Sequence, residues 1–141
     1  MLVQPYLLMV DDDDGDQILI ERVLDKLRYA GKFDAVSSGS KMMELLNRKE
    51  QTGEPLPGFI LLDINMPGKD GKMVLRELKA CENLRHIPVI MFSTSDSPDD
   101  IKDCYSLGAN AYVVKPLEFD RLMVVVEQIL KYWFALASLP R

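Results

Sequence analysis

Short runs of consecutive apolar residues alternate along the chain with segments in which apolar residues recur every three or four positions. The runs have the length of buried β-strands, and the second pattern is that of amphipathic helices. The predicted strands span residues 6–10, 33–37, 59–63, 88–92 and 110–114. Regular alternation of strand and helix favours parallel strands joined by right-handed crossovers. The pattern therefore predicts a doubly wound (βα)5 α/β fold with helices on both faces of one sheet.

Chemically reactive side chains stand where four of these strands end. They are Asp11, Asp12, Asp63, Ser93 and Lys115. In open parallel sheets, ligands bind beyond the carboxyl ends of the strands, at the point where the strand order reverses. In the flavodoxin-like order 2-1-3-4-5, the four strands that carry these side chains are neighbours. We therefore expect one shallow pocket that gathers all five.

Composition narrows the class of protein. The 141 residues are 48% hydrophobic, which is enough for one core and indicates a single domain. A formal net charge of −5 without a stripe of basic residues argues against nucleic acid as the main partner. Cys81 and Cys104 are too few and too far apart for a disulfide framework or a zinc site, and they fit a reducing cytoplasm. The first residues lack a basic region and break at Gln4-Pro5, so neither a signal peptide nor a membrane span is predicted.

Three carboxylates at one edge of a sheet favour a bound cation. Asp11, Asp12 and Asp63 would repel one another, and the pKa of at least one would rise unless a positive charge intervened. Oxygen ligands without histidine or thiolate select a hard ion, and an open carboxylate site suits Mg²⁺ better than Ca²⁺. A carboxylate can also attack phosphorus as a nucleophile, with Lys115 and Ser93 as partners for the phosphoryl oxygens. The set predicts an aspartyl phosphate.

Four segments, in order, resemble the receiver domains of two-component response regulators, and the resemblance spans nearly the whole chain. The segments are Val10-Asp11-Asp12, Leu62-Asp63-Ile64-Asn65-Met66-Pro67-Gly68-Lys69-Asp70-Gly71, Pro88-Val89-Ile90-Met91-Phe92-Ser93 and Gly108-Ala109-Asn110-Ala111-Tyr112-Val113-Val114-Lys115-Pro116. With its Tyr132-Trp133-Phe134 ending and no output domain, the chain most resembles the small stand-alone regulators of bacterial phytochrome-type histidine kinases. The resemblance implies a cytoplasmic phosphorelay protein whose partner is a sensor histidine kinase.

The resemblance also implies a role for each candidate residue. The implied Mg²⁺ site consists of Asp11, Asp12, Asp63 and the backbone carbonyl of Asn65, and the implied transfer and switch residues are Asp63, Ser93, Tyr112 and Lys115. Asp63 would accept the phosphoryl group, Lys115 would bind it, and the protein would catalyse only its own phosphorylation and dephosphorylation. Movement of Ser93 and Tyr112 would then change a surface made by helix four, strand five and helix five. A cis bond before Pro116 is implied as well, although the residues alone leave that isomer open.

Two other classes of protein fit part of the pattern. A haloacid-dehalogenase-like phosphatase uses an aspartate after the first strand and a second one two residues on, a spacing that Asp11 and Asp13 share. Ser93 and Lys115, further along the chain, would assist its reaction, but Asp63 would have no function. Replacing Asp11 and Asp63 separately distinguishes the two, because the phosphatase needs Asp11 as its nucleophile. A flavin carrier should have a loop rich in Ser, Thr and Gly after strand one, where this chain's aspartates would repel the FMN phosphate.

The other acids of the first loop have a simpler interpretation. Asp13, Asp14 and Asp16 are predicted to be solvated, with Asp14 as the cap of the first helix. Aspartate is among the residues favoured at helix N-caps.

The last residues extend the final helix beyond a receiver domain predicted at 1–131. The tail at 132–141 carries Tyr132-Trp133-Phe134-Ala135-Leu136, and its helix is expected to run on to Leu139-Pro140. Exposed apolar patches of this size usually mark interfaces. The favoured interpretation is a symmetric homodimer through helix four, strand five, helix five and this tail. In the alternative, Trp133 and Phe134 fold back on the domain's own sheet edge.

Overall fold

A computed structural model describes residues 5–140 of the chain. Residues 1–4, on which part of the signal-peptide interpretation rests, and residue 141 of the predicted tail lie outside this description. Within the described range, no helix is both long enough and apolar enough to cross a membrane.

Five parallel strands form one sheet in the order β2-β1-β3-β4-β5. They are β1 (Tyr6–Val10), β2 (Lys32–Val36), β3 (Phe59–Leu62), β4 (Val89–Ser93) and β5 (Ala111–Val114). Val10 lies opposite Leu62, and Ser93 lies opposite Val114. The residues that follow β1, β3 and β5 therefore leave the sheet at one edge. The predicted fold class and strand order are confirmed, and each observed strand begins and ends within one residue of its predicted limits.

The helices join the strands in the predicted alternation. They are α1 (Asp14–Lys26), α2 (Gly39–Thr52), α3 (Gly71–Ala80), α4 (Pro98–Ser106) and α5 (Phe119–Leu130). The cap of α1 is Asp13, whose carboxylate accepts a hydrogen bond of 3.0 Å from the backbone N–H of Asp16. The prediction that Asp14 caps this helix is wrong. Asp14 is instead the first helical residue, where its negative charge is favourable at the positive end of the helix dipole.

Two apolar cores lie on opposite faces of the sheet. In β1, Leu8 and Val10 join the core beneath α2, α3 and α4, whereas Leu7 and Met9 join the core beneath α1 and α5. This alternation follows from the period of two along a β-strand. Because α1 and α5 share one face, the first turn of α1 lies next to the connection between β5 and α5.

The tail covers the amino ends of the central strands. The ring of Phe134 lies 4.7 Å from that of Phe59 in β3 and 6.3 Å from that of Tyr29, measured between centroids. The Trp133 ring lies 6.2 Å from Phe59. A Cβ at Gly58 would come within 2.8 Å of the Phe134 ring, so this close approach depends on glycine. For Trp133 and Phe134, the structure has the fold-back arrangement.

The last helix ends earlier than predicted. After α5, residues Lys131–Leu136 form a π-helical segment, and the backbone becomes extended at Ala137. The helix therefore stops before Leu139-Pro140, and Phe134 packs on the domain from within the π-helical segment. Tyr132 and Leu136 remain exposed, by 52% and 76%.

Candidate functional site

Three carboxylates meet at the carboxyl edge of the sheet. One oxygen each from Asp11, Asp12 and Asp63 lies within 4.8 Å of the other two. Asp11 and Asp63 are buried, at 1% and 8% exposure, because they follow adjacent central strands, while Asp12 is exposed. A set of oxygen donors that is open on one side fits a hard divalent cation with water in its remaining positions. The three predicted carboxylate ligands of the metal are thus brought together.

The ammonium of Lys115 lies inside this group of acids. It is 2.6 Å from Asp11 Oδ2 and 3.0 Å from Asp16 Oδ2, and its distance to Asp63 Oδ2 is 3.4 Å. Burial opposes the charged form, but the hydrogen bond and charge of Asp11, together with the charge of Asp63, raise the pKa of Lys115. The lysine is therefore positively charged throughout the physiological range and balances part of the acid cluster.

Asp11 is the most buried of the three clustered carboxylates, and burial opposes its negative charge. Burial raises the pKa of its carboxyl group, and the hydrogen bond from Lys115 offsets this only in part. The neighbouring charge of Asp63 raises it further. The backbone N–H of Asp13 also donates to Asp11 Oδ1 at 2.9 Å. A single lysine does not fully compensate these acids, which is the electrostatic condition that favours a divalent cation.

The backbone after β3 holds Asp63 in place. The N–H of Asn65 donates to Asp63 Oδ1 at 3.4 Å, and the N–H of Gly71 donates to the carbonyl of Ile64 at 2.8 Å. A Cβ at Gly71 would collide with the backbone carbonyl of Asp63, so α3 can begin this close to the site only with glycine. The role of the Asn65 carbonyl as a ligand remains a prediction.

The two predicted switch residues both contact Ser95. Ser93 is fully buried at the end of β4, and its hydroxyl accepts a hydrogen bond of 3.2 Å from the Ser95 N–H. The Tyr112 hydroxyl donates to the Ser95 carbonyl at 2.8 Å. Burial raises the pKa of Tyr112, so the phenol stays protonated and remains a donor. The loop after β4 therefore links Ser93, a predicted residue of the phosphoryl site, with Tyr112 of β5.

The structure also shows a polar network that the sequence interpretation missed. Ser95 Oγ donates to Asp100 Oδ2 at 2.6 Å, and Lys72 of α3 donates to Asp100 Oδ1 at 2.7 Å and to Asp103 at 3.0 Å. The hydrogen bonds to Asp100 and Asp103 raise the pKa of Lys72, and the one between Lys72 and Asp100 lowers the pKa of Asp100. The acidic residues in the first turn of α4 are visible in the sequence, but no sequence pattern identifies Lys72 of α3 as their partner. These hydrogen bonds join the loop after β4 to α3 and α4.

Asp16 makes the second contact that the sequence interpretation missed. The sequence interpretation placed it in solvent, whereas its carboxylate lies 3.0 Å from the Lys115 ammonium. Its neighbours Asp13 and Asp14 are exposed, as predicted. No pattern within the first loop distinguishes Asp16, because its partner comes 99 residues later in the chain.

The bond before Pro116 differs from what the resemblance implied. No peptide bond within residues 5–140 is cis, so Lys115 and Pro116 are joined by a trans bond. The expectation of a cis bond is wrong in this structure. The trans form is also the intrinsically favoured isomer of a bond before proline.

Comparison with known proteins assigns the chain to a family. Residues 7–127 match the family model of the response regulator receiver domain. The chain belongs to the response regulator receiver family.

Two curated relatives extend along most of the chain. The probable methanogenesis regulatory protein FilR2 of Methanothrix harundinacea is 38% identical over 127 residues, covering 90% of this chain and 82% of FilR2. Response regulator Rcp1 of Synechocystis is 33% identical over 135 residues, covering 95% of this chain and 92% of Rcp1.

Solved structures agree with these relationships. The phosphorylated cyanobacterial phytochrome response regulator RcpA has a TM-score of 0.89 at 34% identity, covering 99% of this chain and 100% of that chain. The Mn²⁺-bound form of Rcp1 has a TM-score of 0.85 at 33% identity, covering 97% and 99%. Similar proteins are thus known both phosphorylated and with a divalent metal.

Proposed function

We propose that this protein is a phosphorylation-driven switch of a two-component phosphorelay, with Asp63 as the phosphoacceptor. The observation that supports this most directly is the Lys115 ammonium, which lies between the carboxylates of Asp11 and Asp63 at the carboxyl edge of the sheet. The same edge carries the acid cluster that fits a divalent cation. The protein is proposed to act in the cytoplasm, and its proposed donor is a sensor histidine kinase of the phytochrome type, by similarity to Rcp1 and RcpA.

The transfer step follows from the positions of three side chains. An oxygen of the Asp63 carboxylate attacks phosphorus, and the new O–P bond replaces the P–N bond of a phosphohistidine, which leaves as imidazole. Lys115 supplies positive charge to the phosphoryl oxygens, and the Ser93 hydroxyl donates a hydrogen bond to one of them. Asp11, Asp12, Asp63 and the Asn65 carbonyl would hold Mg²⁺, which supplies further positive charge to the same oxygens. No other substrate is turned over.

The phosphatase alternative fits this geometry less well. It requires Asp11 as the nucleophile, but Asp11 is 1% exposed and its carboxylate is bonded to Lys115 and to the backbone of Asp13. A nucleophile held in two such contacts is poorly presented to a phosphoester. Asp63, with its longer contact of 3.4 Å to Lys115, is more available.

The readout would pass through Ser95. When Ser93 turns toward the phosphoryl group, the hydrogen bond from the Ser95 N–H is lost, and the carbonyl that accepts from Tyr112 moves with it. Tyr112 is then free to move inward, and α4 follows through the bond between Ser95 and Asp100. Two arrangements of one loop thereby bias the outer surface of α4, β5 and α5.

The test is incubation with Mg²⁺ and acetyl phosphate, followed by intact mass measurement. The wild-type protein should gain one acid-stable, hydroxylamine-labile phosphoryl group, and Asp63→Asn should gain none, because the amide has the same shape but is not nucleophilic. Asp25→Asn, an exposed aspartate in α1, is the matched control and should label normally. Full labelling of Asp63→Asn, or labelling that persists in EDTA, would contradict the proposal.

We further propose that the switched surface is a homodimer interface. Its support is a group of exposed apolar side chains on α4, β5, the following loop and α5, namely Tyr105, Val114, Leu117 and Val124. Tyr132 and Leu136 of the tail add to it, because both are exposed, whereas Trp133 and Phe134 pack against the domain itself. The tail at 132–141 is accordingly proposed as an addition to the receiver domain.

Light scattering across a concentration series, with and without phosphodonor, tests the dimer. Val114→Ser combined with Leu136→Ser should shift dissociation to at least about tenfold higher concentration, as expected for losing interface anchors. Met73→Ser is the matched control, because Met73 is 47% exposed on α3, which is not an element of the proposed interface. A wild-type protein that stays monomeric at high concentration in both states would refute the dimer and leave the phosphoacceptor assignment unaffected.

A further inference from the structure

Lys115 has a third carboxylate partner that does not belong to the metal cluster. The cluster comprises Asp11, Asp12 and Asp63, whereas Asp16 lies outside it and holds the ammonium at 3.0 Å. This contact is shorter than the 3.4 Å contact between Lys115 and Asp63. Asp16 and Asp63 thus both approach the lysine in addition to Asp11, and Asp16 makes the closer contact in this structure.

The local structure fixes Asp16 in this position. Its backbone N–H is bonded to the Asp13 cap at 3.0 Å, in the first turn of α1. Because α1 and α5 pack on the same face of the sheet, this turn lies beside Lys115. The Asp16 side chain is 36% exposed and the Lys115 side chain 8%, so Asp16 contacts the buried ammonium from the solvent side.

An ammonium group has three N–H donors, and their distribution matters for phosphoryl transfer. Asp11 and Asp16 accept hydrogen bonds from Lys115, at 2.6 and 3.0 Å. A phosphoryl group on Asp63 needs the same ammonium for its oxygens. With Asp11 and Asp16 each accepting from one donor, only the third remains for these oxygens, so the Asp16 contact limits how far the lysine can turn toward the phosphoryl group.

We propose that Asp16 is a positioning residue for the transfer reaction, which shares the Lys115 ammonium with Asp11 and limits its movement to the phosphoryl group on Asp63. The inference rests on the proposed function, because it assumes that Asp63 is phosphorylated. Asp16 acts through Lys115 and touches neither metal nor phosphoryl group. Weakening its contact makes the lysine more available to the incoming phosphoryl group.

The first experiment compares phosphorylation rates at saturating Mg²⁺ and low acetyl phosphate. Asp16→Asn keeps the shape and removes the charge, and it should raise the rate about threefold or more, in line with the coupling of contacting groups. Asp16→Glu, which restores a carboxylate, should return the rate toward that of the wild type. Asp14→Asn is the matched control: it removes the same charge from the same helical turn, and Asp14 forms no ion pair within residues 5–140.

A double-mutant cycle shows whether Asp16 acts through the lysine. In a Lys115→Met background, Asp16→Asn should no longer change the rate, because there is no ammonium to release. An equal acceleration in both backgrounds would mean that Asp16 only repels the anionic donor, and it would overturn the proposal.

A second readout does not depend on phosphorylation. In the absence of donor, the ¹⁵N resonance of the Lys115 ammonium should shift in Asp16→Asn and stay unchanged in Asp14→Asn. An unchanged resonance or an unchanged rate in Asp16→Asn would overturn the role of Asp16, while Asp63 would still label. Failure of the proposed function is a different result, since Asp63 itself would then fail to label.

Discussion

The two ends of the parallel sheet are built on opposite principles. At the carboxyl end, buried acids surround one lysine, and Asp11, which lies 2.6 Å from the Lys115 ammonium, is 1% exposed. At the amino end, Phe134 packs on Phe59 with ring centroids 4.7 Å apart. Charged contacts in a buried site depend strongly on which partners are present, whereas apolar packing does not. We therefore expect the carboxyl end to respond to metal and phosphate, while the amino end holds the strands in place.

Removing Lys115 should have the largest effect on the carboxyl end. Lys115→Met leaves Asp11 buried without its cation, which should lower the free energy of unfolding in EDTA by about 3 kcal/mol. Mg²⁺ should restore much of that loss, because it brings positive charge to the same acids, so the variant should gain more from Mg²⁺ than the wild type does. Urea unfolding with and without Mg²⁺ measures both effects.

Lys72→Met is the matched control for this prediction. Lys72 also bridges two acids, but its side chain is 25% exposed, and partly solvated pairs contribute less than about 1 kcal/mol. The free energy of unfolding of Lys72→Met should not depend on Mg²⁺ more than that of the wild type does. If Mg²⁺ stabilised Lys115→Met and the wild type equally, Lys115 would not balance the acid cluster.

The amino end should lose stability without any dependence on metal. Phe134→Ala removes the contacts with Phe59 and Tyr29 and should cost about 2 kcal/mol, less than a fully buried phenylalanine because the ring is only half-buried. Its phosphorylation rate should equal that of the wild type. Leu136→Ala, at a side chain that is 76% exposed, should change stability by less than about 0.5 kcal/mol. A metal-dependent loss in Phe134→Ala would show that the two ends are coupled.

The sequence was informative about the carboxyl end for a simple reason. Parallel strands end at one edge, so Asp11, Asp63 and Lys115 could be brought together from their strand positions alone. The contacts of Asp16 and Lys72 could not be predicted in this way, because each depends on how a helix is placed against a distant element. Strand order is a discrete property, and a sequence pattern can predict it. The rotation and depth of a packed helix are not discrete, and a sequence pattern does not predict them.

The amino end was less predictable. The aromatic run of the tail suited both an exposed interface and a cover for the sheet, since the same side chains serve both. The arrangement depends on the space above Gly58, where a Cβ would lie 2.8 Å from the Phe134 ring. Whether Phe134 reaches this space depends on the path of the chain after α5, which the sequence pattern does not predict. The cap of α1 was placed one residue late for a similar reason, since several consecutive aspartates can each cap a helix.

The smallest predicted effect concerns the amino end and pH. Tyr6 is buried at the start of β1, and its hydroxyl donates to Asp34 Oδ2 at 2.6 Å. Burial, and then the hydrogen bond and charge of Asp34, raise the pKa of Tyr6 far above its usual value of about 10. Above about pH 10, the folded protein keeps a proton that the unfolded chain loses. This contribution to stability is therefore complete below about pH 10 and is lost as the pH rises further.

Tyr6→Phe should flatten this alkaline decline. The variant loses the hydrogen bond to Asp34, at a cost of about 1 kcal/mol near neutral pH. Between about pH 10 and 11 its free energy of unfolding should then fall by about 1 kcal/mol less than that of the wild type. Urea unfolding in EDTA at a series of pH values gives the two profiles. Tyr29, whose pKa burial also raises, is present in both proteins, so some decline should remain in the variant. Parallel profiles would show that Tyr6 titrates alike in the folded and unfolded states, and the amino end would then lack this source of pH dependence.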